Sequence, residues 1–239
     1  KVVEELSISP YTTDSQNKNS FKIKLAGSLT ISDFVILKKL YLYDNELAEL
    51  IINNCPEIEL INCAANSLTD VGFLTTLYPE KLTNLHLENN NISEQDLSCF
   101  AKFVNLTTLL VGNSDKNKIE QGIYNRFTGN LECLKNLSKL ERLSIQNADI
   151  DRGLEFLPRS IQEFHLVFTG LMTLKVEEWA EELARQQRKN TSHPKITVWE
   201  NDLEADNSGS EKETGSVIHL NEIAQESHQL QRIEINPYQ

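Results

Sequence analysis

Apolar residues recur along this chain in a fixed phase with a polar partner. Leu37, Leu40 and Leu42 are followed by Asn45 and Leu47. The same spacing returns at Ile58, Ile61, Cys63, Asn66 and Leu68, then at Leu82, Leu85, Leu87, Asn90 and Ile92. Weaker copies run from Leu106, Leu109 and Val111 to Ser114, from Leu140, Leu143 and Ile145 to Ala148, and from Ile161, Phe164 and Leu166 to Thr169. Two degenerate copies precede them, VVEELSI around Leu6 and FKIKL around Ile23. Between central apolar residues the steps are 21, 24, 24, 34 and 21 residues. In each copy the alternation L-x-L predicts a short strand with one face in a core. A unit this small buries its apolar face only against its neighbours, so the strands are expected to stack in parallel as a solenoid.

The polar position explains LTNLHLENNNISEQDL, residues 82–97. After each strand the backbone turns sharply and leaves buried peptide groups without ladder partners. An asparagine side chain both donates and accepts, so Asn45, Asn66 and Asn90 are expected to form a structural ladder from turn to turn. Asn89 and Asn91 read as surface turn residues. Ser114, Ala148 and Thr169 replace the asparagine in later copies, which predicts a broken ladder and a less regular second half. The 34-residue step carries GNSDKNKIEQGIYNRFTG, residues 112–129, about ten residues beyond a normal repeat. Its IEQGIYNRF core is expected to form a short helix on the outer side, in a tolerated insertion, with a binding loop as the alternative.

The pattern L-x-x-L-x-L-x-x-N-x-L over residues 3–171 resembles the leucine-rich-repeat family. The stretches LTNLHLENNNISEQDLSCFAKFVNL and IEQGIYNRFTGNLECLKNLSKLERLSI are more specifically similar to the expanded intracellular leucine-rich-repeat proteins of mycorrhizal soil fungi. The resemblance implies an α/β right-handed horseshoe with a concave parallel β-sheet and an irregular, short-helical convex side. It implies protein recognition as the usual task and supplies no catalytic residues.

The ends of the array need covering. Residues 173–199 read as a C-terminal cap, with Val176, Trp179, Ala180 and Leu183 at helical spacing and KITVW, residues 195–199, as a last edge strand. Residues 1–172 are then the solenoid. The segment 200–239 is acidic and poor in large apolar residues at its start, so a largely disordered tail is expected. Its end, QLQRIEINPY, matches VEELSISPY at the start of the chain. Either a second array opens there or the match is fortuitous.

Composition narrows the function. The chain has 239 residues, 39% hydrophobic, with a net charge of −12. A surplus of acids argues against nucleic acid or an anionic membrane as partner. No apolar run is long enough to span a bilayer. Cys55, Cys63, Cys99 and Cys133 form no paired framework, which suits free thiols and a cytoplasmic location. Sequons at Asn91, Asn105, Asn136 and Asn190 point toward secretion instead. The histidines make no metal pattern, and no phosphate-cradling or nucleophile-elbow motif is present, so neither cofactor nor metal nor enzymatic activity is expected.

Surface then carries the function. The position between the two strand leucines reads Ser7, Lys24, Tyr41, Asn62, His86, Leu110, Ser144 and His165. The next outward position reads Ser9, Ala26, Tyr43, Ala64, Glu88, Gly112, Gln146 and Val167. From these columns Lys24, Tyr41, Tyr43, Asn62, His86, Glu88, Leu110, Ser144, Gln146 and His165 are the expected partner-binding residues, since rings and amides serve as interface anchors. The expected role is a non-catalytic protein-binding module, monomeric, within a larger adaptor or signalling protein. The alternatives are a self-associating structural array and the targeting region of a multidomain enzyme such as a kinase.

Overall fold

The computed structural model describes residues 3–8, 10, 23–153, 156–169, 195–201 and 234–238. The expected capping helix, with Trp179, and most of the acidic tail lie outside them. The strands are β1 (Glu5–Ser7), β2 (Ala26–Ser32), β3 (Lys39–Tyr41), β4 (Glu46–Asn53), β5 (Leu60–Asn62), β6 (Asn84–His86) and β7 (Gln95–Asp96). They continue with β8 (Thr108–Leu110), β9 (Phe127–Asn130), β10 (Arg142–Ser144), β11 (Asp149–Arg152), β12 (Glu163–Thr169), β13 (Lys195–Asn201) and β14 (Glu234–Tyr238). Helix is sparse among the described residues: α1 (Lys116–Glu120) and three 3₁₀ turns at Gly72–Thr76, Leu97–Phe100 and Leu131–Leu134.

Nine of these strands form one sheet in the order β1-β3-β5-β6-β8-β10-β12-β13-β14, with every pair parallel. The register follows the sequence repeat. Leu6, Leu40, Ile61, Leu85, Leu109, Leu143 and Phe164 stand opposite one another across the sheet. From Leu40 onward that row is wholly buried. Parallel strands need long crossovers, and each repeat supplies one. Two smaller parallel sheets, β2-β4 and β11-β9-β7, follow the turn position of their repeats. Phe100 and the fully buried Phe127 pack ring on ring, 5.5 Å between centroids, and tie β9 to the turn at Leu97–Phe100.

Four expectations change. The described part of FKIKL, Ile23–Leu25, supplies no strand to the main sheet, because β1 pairs directly with β3 and Ile23–Leu25 lead into β2 instead. KITVW lies within β13, which is interior: β12 covers one edge and β14 the other. The strand β14 is part of QLQRIEINPY and extends the same sheet. Thr169 ends β12 opposite Asn201 and is no turn residue.

The fourth concerns the ladder. Asn45, Asn66 and Asn90 are buried, and each Oδ1 accepts a backbone N–H of the preceding repeat: Leu25 at 2.9 Å, Leu47 at 3.1 Å and Leu68 at 3.0 Å. Each Nδ2 donates to the carbonyl of the preceding repeat, Ile8, Leu42 or Cys63, and to one in its own turn. The ladder does not stop there. Asn125 is fully buried; its Oδ1 accepts from Ile92 N at 3.2 Å, and its Nδ2 donates to Leu87 O and Val111 O. Those are the bonds that the repeat spacing assigns to Ser114. Ser114 is exposed and bonds Asn89 instead. One further step is made by Asn113 and Asn147, whose side-chain amides donate to each other's carbonyls.

Immediately before the ladder position the backbone turns left-handed: φ is 59° at Asp44, 54° at Ala65, 57° at Asn89 and 49° at Asn147. Asp and Asn tolerate that region, whereas alanine loses about 1–2 kcal/mol to Cβ sterics. Ala65→Asn is therefore expected to stabilise the protein by about 0.5 kcal/mol, and Ala65→Val to destabilise it by at least as much. Urea midpoints of the two variants check the sign of each. Asn91 is half-buried like Asn89, but its Oδ1 has no hydrogen-bond partner among the described residues.

A candidate partner-binding face on the main sheet

Alternation along each short strand turns one side chain inward and its neighbours outward. The pairing register then sets the outward residues in rows. Ser7, Tyr41, Asn62, His86, Leu110, Ser144 and His165 stand in one unbroken row. A second row follows where the strands end, because Asp44 N donates to Ala64 O, Ala65 N to Glu88 O, Asn89 N to Gly112 O and Asn113 N to Gln146 O. Tyr43, Glu88 and Gln146 share that row.

Nine of the ten expected binding residues are thus brought together, and Lys24 is not. It precedes β2, off the main sheet, and its Nζ lies 3.2 Å from Asp44 Oδ1 and 3.9 Å from Glu46 Oε1. Only the alternation of FKIKL places it in the row. Exposure also varies within the face. Tyr43 is 40% exposed, while Ser144 is buried at 7% and offers little to a partner. Tyr41, Asn62, His86, Leu110 and His165 are half-buried.

The structure adds a third row. Glu5, Lys39, Leu60, Asn84, Thr108, Arg142 and Glu163 pair across the same strands, one residue before the central leucine. Its signal lies in the alternation, since residues on either side of an inward leucine both face outward. This row adds charge: Arg142 Nε bonds Glu163 Oε2 at 2.7 Å, and Lys39 sits 3.8 Å from Glu5. Such exposed pairs contribute little stability, but they set the pattern of charge along the row.

Electrostatics single out the middle of the face. Burial pushes the Glu88 carboxyl up to about 7 against opposing contributions from a backbone hydrogen bond and Arg142. Burial, and then Arg142, hold the His86 imidazole below its ordinary value. The buried Cys63 thiol is raised by burial and then by the charge of Glu88. Cys55, Cys63, Cys99 and Cys133 are not joined in disulfides, and their thiols donate to backbone carbonyls. Among the described residues no group of three or more His, Cys, Asp or Glu side chains is placed to hold a metal ion. Among them, too, no helix is long and apolar enough to cross a membrane.

The insertion borders this face on the turn side. Its helix α1 begins at Lys116, ahead of the IEQGIYNRF segment, and ends at Glu120, after which IYNR leads into β9. Rather than lying on the outer side, it reaches the turns that end the strands. Lys118 Nζ donates to Asn66 O at 3.0 Å and Asn89 O at 3.2 Å, while the Asn89 side chain accepts from Ser114 N and Asp115 N. Asp115 caps the helix by accepting from Lys118 N. The insertion is a clasp across two earlier repeats. Lys118→Met is expected to cost about 1 kcal/mol through lost charged hydrogen bonds. Hydrogen exchange should quicken in residues 113–124 more than in β5 or β6.

No family model matches the chain, and neither a curated protein nor a solved structure matches it.

Proposed function

We propose that the chain is a leucine-rich-repeat solenoid of the right-handed horseshoe kind, whose main-sheet face binds a protein partner without catalysis. The observation that carries this reading is the single register of the sheet. It turns isolated outward residues from many repeats into three continuous rows, with Tyr41, Tyr43 and His86 grouped at one part of them. Extended surfaces of this kind are what stacked repeats use for recognition. The asparagine ladder supports the repeat assignment, because it joins each turn to the next with the same three bonds. The acidic balance and the absence of basic clusters in the rows favour protein over nucleic acid. A cytoplasmic location fits four cysteines that form no disulfide.

The test immobilises the full chain and captures partners from a source lysate beside a Tyr41→Glu/Tyr43→Glu/His86→Ala variant that circular dichroism shows to be folded. A partner held by the parent and lost by the variant is the expected result. Equal capture by both removes the face from the account.

A further inference from the structure

Two of the four cysteines sit where the fold repeats itself. Cys99 is the third residue of the 3₁₀ turn Leu97–Phe100, and Cys133 is the third residue of the turn Leu131–Leu134. Each turn is capped by the side chain before it: Asp96 accepts from Ser98 N, and Asn130 accepts from Glu132 N. Each buries its first and last residues and leaves the cysteine half-buried. The strands that lead into the turns, β7 and β9, are paired, and Cα atoms of the two turns come within 8 Å of each other. Each Sγ makes only a weak contact to a carbonyl, 3.9 Å to Asp96 O and 3.4 Å to Asn130 O, which rotation about χ1 releases. The thiols are near enough for the charge of Cys133 to act on Cys99, and the Asp96 carboxylate acts on both. Cys133 also lines an open cavity of about 540 Å³ with Asp96 and Gly129, so a small reagent can reach it from solvent. Cys55 and Cys63, by contrast, are buried.

We infer that Cys99 and Cys133 form a reversible disulfide across the two turns when the chain meets a low-molecular-weight disulfide such as oxidised glutathione. Cys133, at the cavity, attacks one sulfur of the reagent as its thiolate and displaces the first small thiolate. Cys99 then gives up its proton and attacks Cys133 Sγ, displacing the second. Two cysteine thiols are oxidised, the reagent is reduced to two thiols, and the two cysteine protons end on them. Residues 99–133 enclose the whole insertion, so the bond closes the chain behind it while Lys118 holds its front to the turns of the main sheet. Burial, then Asp96, hold both thiols above their ordinary value; Glu132 adds to this at Cys133, and Lys102 opposes it at Cys99. The exchange is therefore slow at neutral pH and quickens as the pH rises.

The experiment incubates the full chain with oxidised glutathione at about pH 7 and about pH 9 and quenches with N-ethylmaleimide. Intact mass and peptide mapping are read beside Cys99→Ser and Cys133→Ser. Wild type is expected to lose two hydrogen masses in a Cys99–Cys133 link, at least about tenfold faster at the higher pH. Cys99→Ser is expected to stop at one glutathione on Cys133, and Cys133→Ser to stay free of both products. Hydrogen exchange across residues 113–124 should slow in the linked chain and recover on reduction with dithiothreitol. Glutathione on wild-type Cys133 that never passes to Cys99 would overturn the pairing. So would adducts spread evenly over all four cysteines, or a chain left unmodified at the higher pH. A link that forms with exchange unchanged would overturn the fastening of the insertion.

Discussion

Replacing Asn125 by alanine is expected to destabilise the protein by about 3 kcal/mol. The side chain is fully buried and serves three backbone groups at once, Ile92 N, Leu87 O and Val111 O. Alanine leaves the Ile92 N–H without its acceptor, and an orphaned buried donor alone costs about 1–3 kcal/mol. The lost donations to two carbonyls add to that, tempered because Leu87 O still accepts from Asn90. Asn125→Asp should be worse, since it removes both donations and buries a charge. Asn91→Ala is the matched control. Its Oδ1 already lacks a partner, so the change should be near neutral. Urea unfolding followed by circular dichroism separates these outcomes. Because stacked repeats need not unfold together, hydrogen exchange at Leu68 and Ile92 should be read alongside.

Stability should also depend on pH through Glu88. Its carboxyl titrates at about 7 in the folded protein, against an ordinary value of 4.5. Between those values the native state binds more protons than the unfolded chain, so stability falls as pH rises through the window and stays low above 7. Each pH unit between the two values is worth about 1.4 kcal/mol, which places the total on the order of 3 kcal/mol. Glutamine keeps the shape and never ionises. Glu88→Gln is therefore expected to match wild type near pH 4 and to exceed it by most of that amount at about pH 8. His86 acts in the opposite direction: its lowered value means that the unfolded chain takes up protons first, so stability is lost as pH falls below 6.5. The difference curve between wild type and Glu88→Gln isolates the carboxyl. A difference that does not grow between about pH 5 and 8 would contradict its burial.

Much of the sheet is legible in the sequence because its period is rigid. An inward leucine fixes the facing of its neighbours, so Tyr41, Asn62, His86, Leu110, Ser144 and His165 fall in one row before any pairing is known. Lys24 fails for the converse reason. FKIKL alternates like a repeat strand, yet it lacks the asparagine that would hold a turn behind it, and the chain there passes into the β2–β4 pair. Alternation alone does not say which sheet a strand joins.

The ladder is half legible. Counting three residues on from Val111 reaches Ser114, but the chain first loops out and returns eleven residues later with Asn125 in the vacant place. Sequence spacing measures distance along the chain, whereas the ladder is a position in space. The clasp by Lys118 is hidden for the same reason, since its acceptors lie 52 and 29 residues away along the chain. Glu88 reads from sequence as a surface residue, and its burial leaves no mark there.

Hydroxyl-radical footprinting of the chain with and without its captured partner tests the central claim most directly. Tyr43 and Tyr78 are 40% and 47% exposed, on the main-sheet face and away from it respectively, so both report well. The account predicts that the partner protects Tyr41, Tyr43 and His86 from oxidation and leaves Tyr78 and Tyr124 unchanged. Protection of Tyr78 or Tyr124 with Tyr41, Tyr43 and His86 unchanged would contradict it.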